Sequence, residues 1–142
     1  GYAATLLRRS VYNCFAFSKY FERSPATEQA TWLELSDDDW NLIVEMEAIT
    51  NQLAQFSLGE VQKEGVSGSN ALLFRKLLKL TFPCLVLERP DVLSTEFTQR
   101  RISKEVKNFS EQGKCCLLRL NEQWALRFPE PDDNEMKAIL LV

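Results

Sequence analysis

The segment Ser36-Asp37-Asp38-Asp39-Trp40 constrains the fold more than any other, because it marks where a long helix begins. A serine hydroxyl at that point can accept from the open amides of a first turn, and three aspartates suit the positive end of a helix. Leu35 before the cap and Trp40 or Leu42 after it can close a hydrophobic staple. Apolar residues then recur at helical spacing through Ile43, Val44, Ile49, Leu53 and Phe56, reaching Val61. Glu45 and Glu47, with Asn51 and Gln52, are expected to form the wet face of this helix.

The same period appears before and after it. From Thr5 to Arg23, Leu6, Leu7, Val11, Cys14, Phe15, Phe17 (or Ser18) and Phe21 predict one helix that Ser24-Pro25 ends. A polar stretch from Ala26 to Thr31 joins it to the capped helix. Glycine, serine and asparagine near residues 64–70 read as a flexible loop. Ser69 or Asn70 then caps a helix carrying Leu72, Leu73, Phe74, Leu77, Leu78 and Leu80. Cys84 to Leu87 is the one strand candidate, but its isolation and the flanking Pro83 and Pro90 argue against a sheet, leaving an extended connector near 83–91 or a further helical turn.

Asp91 or Ser94 opens a further helix expected to reach Phe128, burying Phe97, Ile102 (or Arg101), Val106, Phe109, Cys116, Leu117, Leu120, Trp124 and Phe128. Gly113 would kink or divide it. Pro129 and Pro131 end it, and Asp132, Asp133 and Asn134 cap a last segment from Glu135 to Val142. No repeat of solenoid length is visible. The expectation is an all-α fold: an irregular bundle of about five or six helices forming a single helical domain over residues 1–142.

Composition narrows the chemistry. The chain has no histidine, which removes Ser-His-Asp and Cys-His catalysis and the commonest metal ligand. Its five glycines form neither a Gly-x-Gly-x-x-Gly turn nor a Gly-Lys-Ser/Thr loop, so no nucleotide cofactor is expected. The four cysteines include no Cys-x-x-Cys pair, and they read as reduced core thiols, which favours an intracellular setting. No apolar run approaches a membrane span. Asp37-Asp38-Asp39 and Asp132-Asp133 are better explained as helix caps than as cation ligands, and neither has calcium-loop spacing.

With a net charge of −3, phosphate binding would require a local basic patch. Beside a short patch of Arg8, Arg9 and Lys19, two groups are candidates. Arg100, Lys104 and Lys107 fall at i, i+4 and i+7, on one face of the expected fourth helix, and Arg75, Lys76 and Lys79 line the third. A solvated surface balanced by Glu96, Glu105 and Glu111 competes with that reading. Trp32, Trp40 and Trp124 are expected as core or interface anchors.

Several segments resemble, in order, the helical region of hAT-superfamily transposases. They are Leu6-Leu7-Arg8-Arg9 and Ala16 to Phe21, then Leu35 to Trp40 with Glu45 to Thr50 and Leu53-Ala54, and finally Asp133 to Leu141. In that family a large helical insertion separates the second and third metal-binding carboxylates of an RNase H-like core. The resemblance implies that this chain corresponds to the first part of that insertion. It carries over no catalytic residue, no zinc-binding BED finger and no dimerisation segment. The implied function is a non-catalytic, transposase-derived domain that binds a protein or DNA inside the cell, in the nucleus. A second reading is a stand-alone secreted helical effector, delivered into a host cell, that binds partner proteins.

Overall fold

The computed structural model describes residues 2–61, 82–127, 129–130 and 132–140. The expected loop at 64–70 and the helix carrying Arg75, Lys76 and Lys79 lie outside the described residues.

The fold is mostly helical with one small sheet. In chain order it has α1 (Tyr2–Tyr12), α2 (Cys14–Phe21), α3 (Ala26–Leu33), α4 (Asp37–Val61), β1 (Cys84–Glu88), α5 (Phe97–Arg100) and β2 (Arg101–Glu105). A 3-10 turn (Val106–Asn108), α6 (Glu111–Arg127) and α7 (Asp133–Leu140) complete it.

Helix α4 starts where its sequence signals. The Asp39 amide donates to the Ser36 hydroxyl at 3.2 Å, and the Ser36 amide donates back to the Asp39 carboxylate at 2.9 Å. This is a reciprocal cap with aspartate in the position glutamate usually takes. The Ser36 bonds hold the Asp39 carboxyl below its usual range. The expected first helix is instead two, α1 and α2, separated at Asn13, whose side-chain amide donates to the Arg9 carbonyl at 2.8 Å. The polar stretch after Pro25 is helical rather than a connector, forming α3.

The all-α expectation is corrected by the sheet. β1 pairs antiparallel with β2, with Leu85 opposite Lys104 and Leu87 opposite Ile102. The long helix expected from Asp91 or Ser94 is broken into α5, β2, the 3-10 turn and α6. Two facts hid the second strand. Arg101-Ile102-Ser103-Lys104-Glu105 carries one aliphatic residue, so it lacks a strand's hydrophobic signature. Its cations are also neutralised by carboxylates far away in sequence, which no local pattern records.

Helix α4 is the central element, with α1, β1 and α6 all packed on it. The core joins Val11 of α1, Val44, Ala48 and Ile49 of α4, Leu85 and Leu87 of β1, and Phe109 and Leu117 at α6. Phe97 and Ile102, expected in the core, are exposed: the single helix face that would have aligned them is divided between the one-turn α5 and the strand β2.

Candidate functional site

Because α4 is covered on several sides, polar positions in its middle are buried with the apolar ones. Glu45 and Glu47 are 1% and 0% exposed. The expectation that they form a wet face is therefore overturned. Glu47 follows Val44 by three residues and shares the stripe that holds Val44 and Ala48, a spacing visible in the sequence.

Each buried carboxylate has a cation beside it. Arg101 Nη1 donates to Glu47 Oε2, and its Nη2 donates to Glu88 Oε2, both at 3.2 Å. Arg100 Nη2 lies 2.8 Å from the other Glu88 oxygen. Arg100 also donates to the carbonyls of Ser94 and Tyr12, each at 3.1 Å, and stacks 4.0 Å from the centre of the Tyr12 ring. Two carboxylates and two guanidiniums thus join α1, α4 and the hairpin. Burial pushes the Glu47 carboxyl above its usual range, with the Arg101 charge opposing the shift.

Glu45 closes a second cluster. Its Oε1 accepts from Lys104 Nζ at 3.1 Å and from the Ser110 amide at 2.9 Å, while Oε2 accepts from the Ser110 hydroxyl at 2.5 Å. The Ser110 hydroxyl in turn accepts from the Gly113 amide at 3.1 Å, capping the start of α6. A polar cleft of about 410 Å³ opens beside this cluster, lined by Asp38, Asn41, Glu45, Lys104, Ser110 and Gln112 among others. The Glu45 carboxylate faces the cleft with its oxygens already engaged, so it is committed to structure rather than poised as a base.

An aromatic group occupies the junction of α2, α3 and the start of α4. Trp32 stacks on Phe21 with ring centres 4.8 Å apart, meets Phe17 edge-on at 6.3 Å and lies 5.6 Å from Trp40. Around it, Phe17, Tyr20, Leu33 and Leu35 are exposed, Leu33 to 76%. Tyr20 also borders a shallow hollow formed by Ala16, Lys19, Arg23, Ser24 and Pro25.

Arg100, Lys104 and Lys107, singled out from the sequence, do not share a helix face. Arg100 ends α5, Lys104 is in β2 and Lys107 is in the 3-10 turn. Arg100 is buried against Glu88, Lys104 is bound to Glu45, and Lys107 pairs with Glu105 at 2.5 Å. All four cysteines are free, but Cys84 and Cys115 are exposed rather than in the core. Among the described residues no group of three or more acidic or cysteine side chains is arranged to hold a metal, and no helix is long and apolar enough to cross a membrane.

No family model matches the chain, and neither a curated protein nor a solved structure matches it.

Proposed function

We propose that this chain is a non-catalytic interaction module of hAT-transposase descent, acting in the nucleus and binding a partner protein through α1–α3. The observation that carries the reading is the exposure of large apolar side chains on these helices. They include Leu6 on α1, Phe17 and Tyr20 on α2, and Leu33 on α3. Exposed apolar surface of this kind costs solubility unless a partner covers it. The descent rests on the sequence resemblance, whose central segment coincides with the capped start of α4.

A protein partner is favoured over DNA by the state of the cations. Arg100, Arg101, Lys104 and Lys107 are each tied to a carboxylate of the same chain, so phosphate contacts would have to displace those pairs. The test is a comparison of the wild-type chain with a Tyr20→Ser/Leu33→Glu variant. Nuclease-treated nuclear extract is passed over each, and a retained protein is then purified and titrated. A saturable isotherm that the variant weakens at least tenfold is expected. Failure to find such a partner, together with a duplex-DNA shift that persists at about 200 mM salt, would replace the reading with DNA binding.

A further inference from the structure

Among the described residues β1 pairs with no strand except β2, and the hydrogen-bonding groups on its other edge can be assigned. The Arg89 amide donates to the Arg100 carbonyl at 2.6 Å, and the Val106 amide donates to the Pro83 carbonyl at 3.0 Å. In an antiparallel ladder, bonded and non-bonded pairs alternate. Combined with the observed register, those two bonds make Leu85–Lys104 and Leu87–Ile102 the bonded pairs. The N–H and C=O groups of Leu85 and Leu87 therefore point towards β2. Those of Cys84, Val86 and Glu88 point to the opposite edge, where no described residue forms a strand with them. On β2 the outward groups belong to Arg101, Ser103 and Glu105.

The two edges differ in what they invite. β2 carries Arg101, Lys104 and Glu105, and charged residues on an edge strand resist strand addition. β1 begins Cys84-Leu85-Val86-Leu87, with no charge before Glu88, and Val86 is 42% exposed. Such features favour strand addition.

We propose that β1 pairs antiparallel with β1 of a second copy of this chain, with Val86 opposite Val86 of that copy. The β1 edge is complementary to itself. Centred on Val86, the register sets Cys84 opposite Glu88 and Leu85 opposite Leu87, so every outward N–H and C=O of β1 meets its complement and no like charges face each other. The resulting sheet has four strands in the order β2-β1-β1-β2, related by a twofold axis. Its outer edges are the charged β2 strands, and Pro83 and Pro90 limit the new ladder to the length of β1. Assembly thus closes at two copies instead of growing into a fibre. This inference is independent of the partner surface on α1–α3.

Sedimentation of the chain under reducing conditions, from about 1 to about 200 µM, tests it. A reversible monomer–dimer equilibrium is expected. Val86→Pro removes an outward N–H that β2 does not use, so it should weaken dimerisation at least tenfold while the hairpin persists. Ser103→Pro removes the matching N–H on the other edge and should leave the dimer intact. Val86→Lys, which sets two like charges opposite each other, should also weaken the dimer, with partial recovery at high salt. It keeps the test decisive if the proline variant unfolds. A wild-type chain that stays monomeric throughout overturns the proposal. So does a dimer that Val86→Lys leaves unchanged, or one that Ser103→Pro weakens as much as Val86→Pro.

Discussion

The Glu45 carboxylate fills the space that a side chain at Gly113 would need. A Cβ at position 113 would collide with Glu45 Oε2 and lie 3.2 Å from the Ser110 hydroxyl. A flexible carboxylate could ordinarily swing aside, but this one is held by Lys104 and by the amide and hydroxyl of Ser110. Gly113→Ala is therefore expected to destabilise the fold by about 1–2 kcal/mol, despite alanine's advantage of about 1 kcal/mol inside a helix. Urea unfolding of the single variants and of Glu45→Ala/Gly113→Ala checks it. In the double variant the clash is gone, so the effect of alanine at 113 should change sign.

Arg101 is the hinge of the buried charge network, bridging Glu47 and Glu88 with a side chain only 8% exposed. Arg101→Met is expected to cost about 3–5 kcal/mol, because it strands Glu47 without its cation. Adding Glu47→Met should recover a large part of that loss. Glu88 keeps Arg100 at 2.8 Å, so no buried carboxylate is then left unpaired. Equilibrium unfolding of the two single variants and the double variant reads the coupling directly. Strict additivity would mean that the pair contributes nothing as a pair.

Trp32 has a different role, since it links α2 and α3 to Trp40 at the start of α4 and lies apart from the core of Val11, Ala48, Leu85 and Leu117. Trp32→Ala is expected to cost about 2–3 kcal/mol, less than for a fully enclosed tryptophan because the residue is only half-buried. The loss should be regional. Amide exchange is expected to accelerate across α2 and α3 while β1 and the middle of α4 keep their protection. Uniform acceleration across the chain would show that the two packing regions unfold as one.

What was legible in the sequence was what local chemistry decides. Ser36 and Asp39 announce the start of α4 three residues apart, and the structure pairs them reciprocally. Asp132 announces α7, where its carbonyl accepts from the Met136 amide at 2.8 Å. The hairpin was not legible, because β2 reads at helical spacing when Arg100, Lys104 and Lys107 are counted alone. Their partners Glu88, Glu45 and Glu105 include one from β1 and one from the middle of α4, the latter 59 residues from Lys104. Burial of Glu45 and Glu47 was missed for the same reason. An amphipathic helix with one neighbour keeps such residues wet, and only tertiary packing shows that α4 has neighbours on several sides.

Glu47 gives the fold a pH dependence of unusual sign for a carboxylate. Desolvation is the largest influence on it and raises its pKa above the ordinary 4.5, while Arg101 acts in the opposite direction. A carboxyl with a raised pKa binds more protons folded than unfolded in the window between those two values. Its contribution to stability therefore increases as pH falls through the folded pKa towards 4.5, and decreases as pH rises. Asp39 opposes this at lower pH. Its pKa is depressed by Ser36, so its share is present above the unfolded value and is lost on acidification through the folded one. Glu47→Gln removes the first effect and leaves the second. Urea unfolding at pH 7 and at about pH 5 should show wild type gaining stability relative to Glu47→Gln on acidification. A stability difference that stays constant between the two pH values would mean that Arg101 holds Glu47 at its ordinary pKa despite burial.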